Sequence, residues 1–341
     1  MVSPTGADQR SAAVADSAEP GAGARPVLAP RDLQRTFQLV IATVWLLDAV
    51  LQLQPFMFTP GGNGFSGMLG GTAVGNPGWI AHSITWNAAN VDHHPVVWDS
   101  LFALIQFVIA FGIVWRRTLR PALALSMVWS LGVWWFGEGL GAVLRGGATP
   151  FGGGPGGVLF YAVLAVVLWP RVGSDQPFVA ARTVGVRAAK AIWVGVWGLL
   201  AVLALAGSGR SPQALRQLVA GVDRGQPGWL AHLDRISETA FLHHGTTLAV
   251  LLAVLCGATA VAVFLPPQAT QVVLVVTVGV LAVIWVAVQD VGSILAGGAT
   301  DPNAAPLVII LVLTYWPLTA ARPSVGGPSD RTPATREAST A

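Results

Sequence analysis

Histidine is the residue type whose number and spacing in this chain most directly suggest chemistry. All six histidines lie in two short segments, which begin with Pro-Gly-Trp at Pro77 and Pro227 and end in a His-His pair. Each histidine is 150 residues from its counterpart, and the six are His82, His93, His94, His232, His243 and His244. Neutral imidazole is the commonest metal-binding side chain. The pattern therefore predicts a metal ion or a haem as the candidate cofactor.

The spacing inside each histidine segment limits this metal hypothesis. In one unbroken helix His82 and His93 would share a face but lie about 16 Å apart, too far to bind the same ion. A helix break is therefore required in each segment. Residues 90–92 before Pro95 provide one in the first segment, because proline fits only the first turn of a helix. The alternative is that the histidines lie at the membrane interface, bonded to backbone carbonyls and packed on tryptophan.

A second group of candidate residues is polar and lies inside apolar segments, where side chains of this kind usually face the interior of a helix bundle. Asp48 and Gln52 are four residues apart, so they point the same way from one helix. Glu138 has Gln289 as its counterpart at an offset of 151, and Asp290 follows it. These residues predict a hydrogen-bonded tie between helices, a proton or cation pathway, or a ligand site. Since Asp48 has no acidic counterpart 150 residues later, the first copy is the better candidate for an active centre.

The composition indicates the class of protein. The 341 residues are 53% hydrophobic and 10% charged, whereas soluble domains are roughly 25% charged. This predicts a multi-pass membrane protein whose main partner is the lipid bilayer. Arg and Lys between the apolar segments account for the basic balance, so no nucleic-acid partner is implied. Cys256 is the single cysteine, which excludes an intrachain disulfide and a cysteine-based metal motif.

Apolar segments of the chain predict eight transmembrane helices. Most of them reach the roughly 20 residues that cross a bilayer, although the fourth is short. They cover residues 36–57, 96–115, 121–143, 156–170, 189–207, 239–264, 270–295 and 304–321. Basic residues at alternate ends of the segments predict a protein of the cell membrane with both termini in the cytoplasm. Residues 1–30 and 322–341, rich in Ala, Gly, Ser and Pro, are predicted to be disordered cytoplasmic tails.

Other motifs recur at similar offsets, 151 for Gly-Gly-Ala-Thr and 147 for Trp-Pro, and together with the histidine segments they predict an internal duplication. Gly-Gly-Ala-Thr occurs at 146–149 and 297–300, and Trp-Pro occurs at Trp169 and Trp316. Each copy contains four apolar segments, an even number, so the copies should be parallel repeats related by an axis along the membrane normal. The predicted fold is an all-α integral membrane protein with repeats at 31–171 and 189–321 and a cytoplasmic linker at 172–188. The histidine segments and glycine loops then lie on the extracytoplasmic side.

Three stretches of the chain carry a resemblance to known proteins: the run from Trp45 to Phe56, the motif Gly137-Glu138-Gly139 and the segment around His93-His94. Together they resemble a family of uncharacterised bacterial multi-span membrane proteins, over most of residues 36–320. The resemblance implies a multi-span membrane protein and brings no activity. In architecture alone the chain is similar to haem A synthase, which has two four-helix halves with histidine ligands. It departs from that enzyme because predicted spans four and eight contain no histidine and the exterior loops contain no cysteine pair.

Three functions follow as hypotheses from these residues. The first is a metal- or haem-binding, redox-associated protein, with the histidines as ligands and Glu138 and Asp48 behind them. The second is a permease for a small solute or ion whose pathway uses Asp48, Glu138 and Asp290. The third is a scaffold or assembly partner of a membrane complex, or a homo-oligomer without chemistry of its own. Whether the protein is an enzyme stays open.

Overall fold

The chain is all-helical in its computed structural model, which describes residues 30–170, 176–221 and 225–318. Within these three ranges there is no β-strand, so the all-α prediction is confirmed. The predicted tails lie outside the described residues, apart from Pro30. The α-helices are α1 (Pro30–Leu51), α2 (Phe65–Thr72), α3 (Gly78–His93), α4 (Pro95–Val114), α5 (Leu119–Phe136), α6 (Leu159–Val167), α7 (Val179–Val184), α8 (Val186–Leu205), α9 (Pro212–Ala220), α10 (Gly228–Ala262), α11 (Pro267–Ala287) and α12 (Ala304–Thr314).

The helices pack as two bundles, here called the first half (30–170) and the second half (186–318). In the first half α1 packs against α4 and α5 against α6; in the second half α8 packs against α10 and α11 against α12. One hydrophobic core runs through both halves, and α6 and α12 meet where the halves join. Its largest fully buried side chains include Trp45, Trp193 and Trp197.

Several helices are suited to a bilayer. In the described part of the chain four helices are long and apolar enough to cross a membrane: α4, α8, α10, and α11 with the turn that follows it. Many of their large apolar side chains face outward, such as Val97, Val202 and Val254, each more than 60% exposed. Outward apolar side chains on long helices are typical of lipid contact. The architecture is therefore compatible with a multi-pass membrane protein.

The predicted fourth and eighth spans are short helices. α6 has 9 residues and α12 has 11, so they are about 14 and 16 Å long, roughly half the hydrocarbon thickness. Each follows an irregular segment, 137–158 before α6 and 288–303 before α12, that packs among the helices. Irregular backbone is tolerated at membrane depth where it is buried in protein or lines a cavity. Sequence hydropathy alone does not separate such a segment from the helix it adjoins.

The two histidine segments differ in backbone structure. In the first half the chain breaks at His94 (φ −140°, ψ 58°), and Pro95 begins α4. In the second half α10 continues without a break for 35 residues, so the break expected there does not occur. Gly245 stands 150 residues after Pro95, and glycine keeps the N–H that proline lacks. A Cβ at Gly245 would lie 2.9 Å from the Cα of Pro212, so glycine also allows α9 to pack closely on α10.

A left-handed turn follows both α5 and α11. Four consecutive residues have positive φ in each turn, at 139–142 in the first half and 290–293 in the second. Leu140 and Ala142 belong to the first turn, and Asp290, Val291 and Ser293 belong to the second, although side chains disfavour this conformation by about 1 kcal/mol or more per residue. Surrounding contacts must therefore hold both turns. Gly141 and Gly292 lie where a Cβ would overlap neighbouring backbone, at Pro155 and at Pro302.

The predicted linker contains a buried helix. α7 lies within residues 172–188, and its Ala180 and Thr183 are almost completely buried. The Thr183 hydroxyl donates a hydrogen bond to the Trp169 carbonyl, and the Leu318 N–H donates one to the Pro177 carbonyl at 2.8 Å. The connection therefore packs on both halves. Residues 171–175 lie outside the described part of the chain.

Candidate functional site

The histidines lie on the outside of the molecule. All six side chains are exposed, three at α3 and the residue after it and three along the N-terminal part of α10. The rings of His243 and His244 have their centroids 6.3 Å apart. Among the residues described by the structure, no group of three or more His, Cys, Asp or Glu side chains is arranged to hold a metal ion. The structure therefore does not bring the histidines together with Glu138 or Asp48.

Three of the five polar residues that the sequence places in apolar segments, Asp48, Gln52 and Glu138, meet at a cavity in the first half, here called the inner cavity. It has a volume of about 310 Å³ and is lined by side chains of α1 to α6 and by residues of the loop before α12. Asp48 and Gln52 both line it, in keeping with their spacing of four residues on one helix. Its other ionisable or phenolic lining residues are Glu138, Tyr161 and Asp301.

Asp48 is held by one bond and leaves one oxygen unsatisfied. Its side chain is 2% exposed, and the Tyr161 hydroxyl donates a hydrogen bond to its Oδ2. The Trp45 ring packs on Tyr161 with their centroids 4.3 Å apart, which fixes the phenol. The Asp48 Oδ1 is buried and has no hydrogen-bond partner among the described residues. A buried carboxyl oxygen without a partner is costly unless a ligand, an ion or water satisfies it.

Asp99 extends this polar group into α4. Gln52 Nε2 donates a hydrogen bond of 2.9 Å to Asp99 Oδ1, and Asp99 is completely buried. Buried polar atoms nearby lack a described protein partner: Asp99 Oδ2, Gln106 Oε1 and Trp129 Nε1. Sequence reasoning missed Asp99, although it lies within the predicted span at 96–115. The rule that selected Asp48, an acid inside an apolar segment, would have found it.

Glu138 is hydrogen-bonded through only one of its two carboxyl oxygens. Its Oε1 accepts a hydrogen bond of 3.1 Å from the Val158 N–H at the start of α6, while its Oε2 is buried without a described partner. In the second half the Gln289 Oε1 accepts a bond of 3.2 Å from the Ala305 N–H at the start of α12. The bond to the helix end is therefore made by a carboxylate in one half and by a neutral amide in the other.

Asp301 enters the inner cavity from the second half. Thr300 Oγ1 and the Asn303 N–H donate bonds of 2.8 and 2.7 Å to its two oxygens, and Gln54 Nε2 of the first half donates one of 3.1 Å to the Ala299 carbonyl. Sequence reasoning missed Asp301 because it lies in a loop. The available signal was its place in the repeat, where the first copy has Pro150.

Phe151 crosses in the opposite direction, from the first half into the second. It belongs to the first half, but its buried ring packs edge-on against Phe241 of α10 with their centroids 5.0 Å apart. Gln289 Nε2 donates a bond of 3.2 Å to the Phe151 carbonyl. Each half therefore sends one loop into the other. An apolar ring enters the second half, and a carboxylate enters the first.

A second cavity adjoins the inner one and is here called the outer cavity. It has a volume of about 370 Å³, and glycine is its most frequent lining residue; the lining also includes Arg145 and Gln289. Its wall shares four residues with the inner cavity: Met68, Glu138, Thr300 and Asp301. Asp290 is completely buried but lines neither cavity.

The inner cavity is acidic. Asp48, Glu138 and Asp301 all line it, and among the described residues that line the cavity none is Lys, Arg or His. Three carboxyl groups around one space without a basic partner repel one another unless protons or a bound cation neutralise them. The arrangement can therefore hold a positively charged species.

The fold and the cavity define a helical, membrane-compatible protein with an acidic internal cavity. Comparisons of the chain with protein families, with curated proteins and with solved structures find no match. The family resemblance inferred from the sequence stays a prediction.

Proposed function

We propose that the protein is a multi-pass membrane protein that binds a cation in the inner cavity and passes it to the outer cavity, as a permease. The observation that carries the proposal is the convergence of Asp48, Glu138 and Asp301 on one cavity whose described lining has no basic residue. Ionisable groups at membrane depth are costly, and they are typical of ion and proton pathways.

A purely structural role explains these carboxyl groups poorly. Glu138 bonds the start of α6, but Gln289 makes the same bond to α12 without a charge. Asp48 accepts one hydrogen bond, from Tyr161, and leaves its second oxygen buried and unsatisfied. A tie between helices would favour side chains with all their atoms bonded. The charge of these residues is therefore better explained by a ligand.

The second support for a permease is the position of the two cavities. Glu138 and Asp301 line both cavities. A cation that leaves the inner cavity would therefore pass these two carboxyl groups on its way into the outer cavity. Three of the four shared residues, Glu138, Thr300 and Asp301, belong to the irregular segments that precede the short helices α6 and α12. Interrupted helices next to a site at membrane depth are typical of secondary transporters.

The proposal includes eight spans in two parallel repeats. Two pairs of hydrogen bonds support the repeat: Trp134 and Trp285 donate to the carbonyls of Pro155 and Pro302, at 2.7 and 2.8 Å, and Glu138 and Gln289 accept from the starts of α6 and α12. The left-handed turns also recur at an offset of 151. The distribution of basic residues supports an orientation with both termini in the cytoplasm and both cavities toward the outer face of the cell membrane.

Charge movement in reconstituted vesicles tests this function. Sodium, potassium or methylammonium is added to vesicles containing the purified protein, and the current on a supported membrane is recorded. We expect at least one cation to produce a current, and Asp48→Asn to reduce it by about tenfold or more. Glu238→Gln is the matched control, because this carboxylate forms a surface ion pair with Arg216 at 3.4 Å and lines neither cavity. Currents that are the same with and without the protein would refute the proposal.

The metal or haem hypothesis stays a prediction. Among the described residues, the histidines are not grouped in a way that favours it. Its test is the absorption spectrum and metal content of the purified protein. Colour or stoichiometric metal that disappears in the His93→Ala, His94→Ala double variant would support it. A scaffold or homo-oligomer role predicts neither a cofactor nor a current.

A further inference from the structure

We propose that the cation bound in the inner cavity is a small protonated organic amine, held by its ammonium group against Asp48 and by its apolar part among aromatic rings. This inference rests on the proposed function and names its ligand class. It is drawn from the lining, the volume and the unsatisfied atoms of the cavity.

The lining of the inner cavity is aromatic as well as acidic. Aromatic rings attract cations through their negatively charged faces and also cover apolar groups. The rings are in mutual contact, with centroids 4.3 Å apart for Trp45 and Tyr161 and 5.5 Å apart for Phe102 and Trp129. The aromatic lining residues are Trp45, Phe65, Phe102, Trp129, Phe136 and Tyr161. A hydrated inorganic ion would leave most of this surface without a suitable partner.

The volume of the cavity agrees with an organic ligand. At about 310 Å³ it lies at the lower end of the range for small-molecule sites. A metal ion requires several oxygen ligands at about 2.0–2.6 Å, and within the described ranges no group of three acidic or histidine side chains is close enough to provide them. The carboxyl groups surround the space without converging on one point in it.

The unsatisfied atoms define the hydrogen-bonding character of the ligand. Two lining residues that are more than nine-tenths buried have an acceptor without a described partner, Asp48 Oδ1 and Gln106 Oε1. Glu138 Oε2 adds a third acceptor, while Trp129 Nε1 is a donor without a described partner. Acceptors in excess call for a ligand that donates. A protonated primary or secondary amine supplies two or three N–H donors together with a positive charge. A quaternary ammonium ion has the charge but no N–H donor.

Binding of butylammonium to the purified full-length protein in detergent tests this assignment. Calorimetry measures its dissociation constant beside that of butanol, which has the same apolar chain without charge, and beside rubidium, an inorganic cation. We expect butylammonium to bind and butanol not to bind. Asp48→Asn should abolish butylammonium binding, and Glu138→Gln, whose backbone setting a glutamine already occupies in the second half, should weaken it.

The aromatic contribution has its own control. Trp129→Leu should weaken butylammonium binding by about tenfold, whereas Trp86→Leu should leave it unchanged because Trp86 is 62% exposed and lies outside the cavity. Rubidium binding without butylammonium binding would overturn this inference and leave the cation site standing. Binding of neither cation would overturn both. Equal affinities in the protein and in Trp129→Leu would reject the aromatic contact.

Discussion

The two halves place residues of different chemistry at positions 150 or 151 residues apart. The first half has Asp48, Asp99, Gln106 and Glu138, and their counterparts in the second half are Gly198, Ala249, Cys256 and Gln289. Both halves keep the tryptophan that bonds a loop carbonyl and the acceptor at the start of the short helix. What differs is where the carboxyl groups lie: Asp48, Asp99 and Glu138 have no acidic counterpart in the second half, and Asp290 of the second half has Gly139 as its counterpart.

Features that both halves share are required by the fold, whereas the carboxyl groups found in the first half alone are candidates for binding a ligand. The second half shows that the left-handed turn and the bond to the short helix form without a carboxylate at position 289. The charge of Glu138 is therefore not required for this bond, in keeping with the proposed role in cation binding. The crossing loops strengthen the contrast, because Phe151 is buried in the second half while Asp301 faces the cavity of the first.

The largest expected effect comes from the turns that the halves share. Gly141→Ala and Gly292→Ala should each prevent the protein from folding, because an added Cβ would overlap the backbone at Pro155 or at Pro302 at a positive φ. The yield of monodisperse protein in size-exclusion chromatography measures this. Gly279→Ala is the control, since its Cβ would meet no atom within 4 Å. If only one of the two turns tolerated alanine, the halves would not be equivalent there.

The crossing loops predict an unequal pair of effects. Phe151→Ala should lower the stability by about 3–5 kcal/mol, because it leaves a hole against Phe241. Asp301→Ala should cost only about 1 kcal/mol, for two lost hydrogen bonds that water partly replaces, but it should weaken cation binding. Thermal unfolding in detergent and cation titration measure both. Similar losses of stability would contradict the division between a packing loop and a ligand loop.

The single substitutions Glu138→Gln and Gln289→Glu should change the stability by a smaller amount, and by different amounts. Glu138→Gln should keep the fold, because an amide oxygen bonds the start of α12 in the same way. Gln289→Glu should lower the stability by about 1–3 kcal/mol, because a carboxylate oxygen would replace the donor that bonds the Phe151 carbonyl. Melting temperatures of the two variants are compared at pH 7. A larger loss for Glu138→Gln would assign Glu138 a structural role.

The smallest effect concerns Asp92, outside the membrane-spanning segments. The Gly61 N–H and the Ser66 hydroxyl donate bonds of 2.6 and 2.8 Å to its Oδ1, and they lower the pKa of Asp92. Its stabilising contribution is therefore present at neutral pH, above the usual aspartate pKa of about 4, and is lost as the pH falls through the lower pKa of the folded state. As the pH falls through this range, amide hydrogen exchange at Gly61 should accelerate in the unaltered protein more than in the Asp92→Asn variant. Parallel profiles for the two proteins would show that this carboxyl group does not control the loop.

Composition and periodicity predict the helical class and the shared direction of Asp48 and Gln52, because both depend on local spacing. The sequence predicts a break at residues 90–92 of the first histidine segment, but these residues stay helical and the chain breaks at His94, next to Pro95. The second segment does not break, because position 245 is glycine. Asp301 was beyond such reasoning, since its place depends on a loop of the second half that reaches the cavity lined by Asp48, 253 residues earlier in the sequence. The left-handed turns also depend on tertiary contact: nothing local at Val291 or Ser293 favours a positive φ.

The crossing loops make each bundle structurally incomplete without the other. A fragment ending before α8 would present the Phe151 ring to solvent or lipid, and a fragment beginning at α8 would expose the buried face of Phe241. Separate expression of either fragment should therefore give material that recombines with its complement or precipitates. The proposed binding unit is therefore the undivided pair of halves, even though most of the residues that line the inner cavity belong to the first half.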